Sequence, residues 1–181
     1  MSQKYLVIYD KKKYFTECLP SRCGRAVNDG LVGESEVHQL LSLAKKGLAK
    51  GGSGGGASII DLHSGALSSG QQFVNVYKMY PDLFKPDDFG VYQKVKAKIK
   101  AYIAEHFEID AESLYLTHPT FFSRIEAKEA KTMHDEYWHI HVDKDTYPTF
   151  HYTSLLYLTD FGADFTGGEF VFVDNHEKLN R

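Results

Sequence analysis

Two kinds of apolar spacing divide this chain, and together they narrow its fold to one class. Across residues 89–107, Val91, Val95, Ile99, Tyr102, Ile103 and Phe107 fall on one stripe at helical spacing, with lysines opposite. A helix of that kind needs a surface to lie against, and the following sequence supplies one. From Leu114 onward the apolar residues come in short strand-like runs, at 114–116, 120–125, 137–142, 151–158 and 169–173. Pro119, Pro148, Gly162 and Gly167-Gly168 punctuate them. Helices first and strands second predict an α+β protein whose β part is a sandwich or barrel.

The front half fits the same plan. Residues 5–9 read as a strand that ends at the charged run Asp10-Lys11-Lys12-Lys13. Residues 35–50 carry Val37, Leu40, Leu41, Ala44 and Leu48 at helical spacing, with Ser35 as N-cap and Gly51 just past the end. The glycine-rich run from Gly51 to Gly56 lacks the Lys-Ser/Thr ending of a phosphate loop and reads as a flexible loop. A length of 181 residues, 43% of them hydrophobic, suits one domain with a real core. We expect a single domain over 1–181, with residues 1–110 as a strand and helical support and 111–181 as the β core.

Charge and composition exclude several partner classes. A formal net charge of -3 gives no whole-surface field toward nucleic acid or an anionic membrane. The lysine runs at Lys11, Lys12, Lys13 and at Lys94, Lys96, Lys98, Lys100 have no aromatic platform interleaved, so they read as solvated faces and no nucleic-acid partner is expected. No apolar stretch approaches the roughly 18 residues that span a bilayer, and no secretory signal lies within the chain, so it reads as soluble. Cys18 and Cys23 read as free thiols rather than a bridge, which leaves the compartment open.

The chemistry concentrates in Trp138-His139-Ile140-His141-Val142-Asp143. On a strand, His141 and Asp143 share a face with Cα atoms about 6.6 Å apart, so an imidazole nitrogen and a carboxylate oxygen can converge on one metal ion. His139 shares that face but stands about 13 Å from Asp143 along the strand, so a third ligand must come from elsewhere. Two histidines, one carboxylate and open positions make the facial triad of non-heme iron oxygenases. His-x-Asp alone is weak, because a strand histidine is more often a satisfied polar residue. The next run gains from its company: Thr153, Leu155 and Tyr157 share one face, as an inward core face or, beside His141 and Asp143, as a pocket wall. Gly167-Gly168 suits a tight entry to the next strand, where a left-handed backbone needs no Cβ. A calcium loop at Asp143-Lys-Asp145 lacks the glycine and terminal glutamate of an EF-hand.

The series His141-Val-Asp143, Thr153-Ser-Leu-Leu-Tyr157-Leu158 and Gly167-Gly168-Glu169-Phe170 with Phe172 resembles the catalytic core of prolyl-4-hydroxylase-like oxygenases, over about residues 134–175. The resemblance implies a double-stranded β-helix, or jelly-roll, core with N-terminal supporting helices. It implies His141 and Asp143 as iron(II) ligands, and Tyr157, with Leu155 and Thr153 beside it, as contacts of 2-oxoglutarate. Iron(II), the cosubstrates 2-oxoglutarate and O2, and auxiliary ascorbate come with it, as does a peptidyl substrate such as a prolyl or lysyl side chain, with a small molecule second. The family pattern also wants a distal histidine and a basic residue several strands later. His176 sits in a polar run that reads as a surface loop, and Arg181 is the last residue, so neither is assigned. The expectation is a C-terminally incomplete oxygenase domain, inactive alone, from a protein that the family places on a membrane anchor or in the secretory pathway. Its rival is a non-catalytic jelly-roll binding module on the same scaffold.

Overall fold

In chain order the elements are β1 (Tyr5–Ile8), β2 (Ala26–Val27), α1 (Glu34–Leu48), β3 (Ala57–Asp61), β4 (Ala66–Ser69), β5 (Gln72–Asn75), α2 (Val76–Met79), α3 (Gly90–Phe107), β6 (Phe121–Ile125), α4 (Asp143–Thr146) and β7 (Tyr152–Ser154). The structure, a computed structural model, describes residues 24–118, 120–129 and 140–172 and the backbone of 5–8. The mixture is α+β, with antiparallel sheets in the orders β2-β1-β7 and β5-β4-β3-β6.

Both helices expected from apolar spacing form, with shifted ends. The N-cap of α1 is Gly33 rather than Ser35, because the Glu36 carboxylate reaches back to accept the Gly33 N–H at 3.0 Å. Glu34 and Glu36 in the first turn also suit the positive end of the helix. Its buried stripe of Leu43, Ala44 and Leu48 packs on Ile60, Leu62, Leu67 and Val76, and each such leucine contributes about 1.5–3 kcal/mol by leaving water. Helix α3 follows a 3-10 turn at Pro86–Phe89 and ends at Glu108, whose left-handed backbone (φ 56°) stops it. Its Ile103 and Phe107 pack with Ala26 and Ile109, while Val95 joins Val32 and Leu40 of the α1 side. The helices thus back both sheets.

Two ion pairs tie the helices together, with Glu36 receiving Lys94 at 3.1 Å and Lys98 at 2.7 Å. Lys98, the Gly33 N–H and Lys94 hold the Glu36 carboxyl down at about 2, from 4.5. A carboxylate depressed by folding contributes stability above its unfolded value and loses it as pH falls toward the folded one. Glu36→Gln is therefore expected to flatten the acid limb of the stability profile between about pH 4.5 and 2, as thermal unfolding at stepped pH would show. An unchanged acid limb would remove this pair from the account. Lys100 likewise faces Glu112 at 3.9 Å, so three lysines of the α3 run meet carboxylates.

Several expectations need correction. Residues 57–75 form the hairpins β3–β4 and β4–β5, which apolar alternation did not announce because serines occupy strand positions. The glycine run ahead of them is a loop whose start is tied to β4. Gly52 N–H donates to Ser68 O at 2.7 Å, Gly70 N–H to Gly52 O at 2.8 Å, and Ser53 N–H to Ser58 Oγ at 3.1 Å. A Cβ at Gly51 would collide with the Ser68 carbonyl oxygen, so this close backbone approach requires glycine. Residues 114–116 are unpaired, and of the run 120–125 only Phe121–Ile125 pairs, with β3. Of the run 151–158, Tyr152–Ser154 forms the strand β7, which pairs with β1. Residues 169–172 are not a strand, although Gly167 and Gly168 both take the left-handed backbone (φ 71° and 68°). Residues 9–13, Cys18, Cys23, residues 137–139, Val173, His176 and Arg181 lie outside the described residues.

Candidate functional site

The juxtaposition of His141 and Asp143 does not depend on the strand expected over 137–142. Residues 140–142 form no strand, and Asp143 opens the short helix α4, where Tyr147 N–H donates to its carbonyl at 2.8 Å. The residue between them, Val142, is nevertheless extended (φ -116°, ψ 117°). One extended residue is enough to turn its two neighbours to the same side. His141 Nε2 and Asp143 Oδ1 accordingly stand 3.4 Å apart, both partly exposed.

The other carboxylate oxygen is fixed from β7. Thr153 Oγ1 donates to Asp143 Oδ2 at 3.0 Å, so the two candidate segments meet through one hydrogen bond. The sequence makes Thr153 a core-face or pocket-wall residue, and its role as a partner of Asp143 carries no sequence signal beyond strand alternation. That alternation persists past the end of β7. Leu156 and Leu158 pack against Val32, Leu40 and Val95, which turns Leu155 and Tyr157 to the side of Thr153. The core face is therefore the Leu156 and Leu158 side, and Thr153, Leu155 and Tyr157 face away from the helices. Leu155 is partly exposed and Tyr157 half-buried.

The donor set suits a transition metal in part. Adjacent donors about 2.0–2.2 Å from one ion stand about 3.0–3.5 Å apart, and imidazole with carboxylate is the mixture that non-heme iron accepts. The His141–Asp143 separation falls in that range, leaving Asp143 Oδ2 on Thr153. His151 does not complete the set, because no group of three or more His, Cys, Asp or Glu among the described residues could hold a metal ion. Burial pushes the His151 imidazole below its ordinary range, and Lys144 adds to the shift. His139 and His176 lie outside the described residues. No helix among the described residues is long and apolar enough to cross a membrane.

The chain is similar to a set of vertebrate proteins that share one name, 2-oxoglutarate and iron-dependent oxygenase domain-containing protein 3. The Xenopus tropicalis protein is 54% identical over 177 residues, which is 96% of this chain and 55% of that protein. The mouse protein is 54% identical and the human protein 53% identical, each over 92% of this chain. The chain spans about half the length of these relatives. No protein-family model matches it. No solved structure matches it.

Proposed function

We propose, from the similarity of nearly the whole chain to proteins named for dependence on 2-oxoglutarate and iron, that it contributes His141 and Asp143 as iron(II) ligands of a 2-oxoglutarate-dependent dioxygenase. The single observation that supports this most is the 3.4 Å approach of His141 Nε2 to Asp143 Oδ1, with Thr153 anchoring the remaining oxygen. Iron bound there supplies the O2 activation that couples decarboxylation of 2-oxoglutarate to hydroxylation of a substrate C–H bond.

This chain's own residues position and tune. The Thr153 hydroxyl orients the Asp143 carboxylate, as outer-shell partners of metal ligands do. Tyr157 donates its hydroxyl to the distal carboxylate of 2-oxoglutarate, with Leu155 and Thr153 along the same wall. Residues 111–181 belong to a prolyl-4-hydroxylase-like jelly-roll core, and a peptidyl side chain is the substrate. Ascorbate serves as an auxiliary reductant.

A hydrogen bond to a charged group contributes about 1.5–3 kcal/mol, or roughly tenfold to hundredfold in affinity. Tyr157→Phe is expected to raise the KM for 2-oxoglutarate by that factor while leaving iron affinity unchanged. Iron affinity that fell with an unmoved KM would reverse the assigned roles.

A further inference from the structure

The register that pairs Asp61 with Phe121 brings two histidines to one end of the β3–β6 pair. His63 lies two residues past Asp61 in the β3–β4 turn, and His118 lies three residues ahead of Phe121. The antiparallel course of the strands therefore sets them side by side. Their ring centroids stand 5.0 Å apart, with the planes at 86°. Both sit on turns held by hydrogen bonds. Asp61 accepts the His63 backbone N–H at 2.8 Å and the Ser64 hydroxyl at 2.6 Å, and the Thr120 hydroxyl donates to the Thr117 carbonyl at 2.8 Å across His118. Both histidines are exposed.

Two imidazoles on one ion, with metal–nitrogen bonds of about 2.0–2.1 Å at angles of about 90–110°, have centroids about 4.5–5.2 Å apart. The separation of His63 and His118 falls in that range. His63 Nε2 is 2.8 Å from the Tyr92 hydroxyl, which leaves Nδ1 as its metal donor. With Nδ1 on a metal, Nε2 carries the proton and donates it to the Tyr92 oxygen, the outer-shell arrangement that fixes the tautomer and orients a ligating imidazole. Burial pushes the Tyr92 phenol up to about 12, so that oxygen stays a neutral hydroxyl. Burial also pushes the His63 imidazole below its ordinary range, against Asp61 and with His118 and Lys96 adding to the shift. That favours the unprotonated form a metal needs. No third His, Cys, Asp or Glu among the described residues completes the set, and imidazoles by themselves suit zinc, copper and nickel rather than magnesium or calcium.

We propose that His63 and His118 form a two-histidine surface site for a zinc-class divalent cation, with Tyr92 as its positioning residue. The site shares no residue with His141 and Asp143 and does not rest on the dioxygenase reading. Zinc(II) is titrated calorimetrically into the full chain carrying His141→Ala, and into the same chain carrying in addition His63→Gln, His118→Gln, Tyr92→Phe or His38→Gln. The His141→Ala chain is expected to bind zinc(II) at a site that either His63→Gln or His118→Gln weakens by more than about a hundredfold, since an outer-shell partner alone accounts for about 10–100-fold. Tyr92→Phe removes only the outer oxygen and belongs in that milder range, about 10–100-fold. His38→Gln, at an exposed position of α1, leaves the affinity as it was. Zinc(II) also raises the unfolding temperature of the His141→Ala chain, and that rise disappears with His63→Gln or His118→Gln. No zinc(II) binding by the His141→Ala chain, binding untouched in His63→Gln or His118→Gln, an equal loss in His38→Gln, or displacement of zinc(II) by equimolar magnesium overturns the proposal. An affinity unmoved in Tyr92→Phe overturns the positioning role.

Discussion

Truncating Phe107 to alanine is expected to lower the free energy of unfolding by about 3–5 kcal/mol, as buried Phe→Ala changes do when the cavity cannot collapse. Phe107 is 1% exposed at the end of α3 and belongs to the cluster of Ala26, Ile103 and Ile109. Its ring also stands 6.0 Å from that of Tyr152, the first residue of β7. Because β7 has only three paired residues, this contact is a large part of what seats it on the helix. The next residue, Thr153, holds Asp143, so loss of the ring reaches the candidate site within two steps. Denaturant unfolding measures the effect, with Phe73→Ala as a control at a position 46% exposed, where a change within about 0.5 kcal/mol is expected. A Phe107→Ala loss below about 1 kcal/mol would mean that the three-stranded sheet is held from elsewhere.

Three substitutions around Asp143 should fall into two grades. His141→Ala and Asp143→Ala each remove a donor atom, and iron(II) affinity is expected to drop by more than about a hundredfold, since losing only an outer-shell partner costs about 10–100-fold. Thr153→Val keeps the side-chain shape and both ligands but leaves Asp143 Oδ2 without its 3.0 Å donor. It belongs in the milder grade, about 10–100-fold. Anaerobic calorimetric titration of iron(II) separates the two. Alanine variants that bind as the parent does would remove the metal assignment, and a valine variant as damaged as the alanines would make Thr153 more than an orienting partner.

The helices were legible because burial on one stripe leaves a periodic trace, as Val95, Ile103 and Phe107 do on α3. Their ends were less so: the Gly33 cap depends on a carboxylate three residues away, and a serine nearby looked the better cap. The hairpins of residues 57–75 hid because Ser58 and Ser68 are buried with their hydroxyls accepting the backbone N–H groups of Ser53 and Ile59 rather than by being apolar. A signal was present at Gly70, which with Gln71 makes the two-residue turn between the paired Ser69 and Gln72. At the site, His141 and Asp143 were found through strand alternation that does not exist there as a strand. The prediction of a shared side survived because it needed only one extended residue, Val142. The bond from Thr153 to Asp143 and the approach of His63 to His118 join residues ten and 55 positions apart, and no local pattern encodes such pairings.

The measurement that bears most directly on the central claim is iron(II)-dependent conversion of 2-oxoglutarate to succinate, followed in parallel in a parent protein extended to the full length of the relatives and in its His141→Ala variant. The account predicts succinate that requires added iron(II) in the parent and at least a hundredfold less in the variant, in keeping with the loss of a metal ligand. Iron-dependent succinate formation at the same rate in both would contradict it.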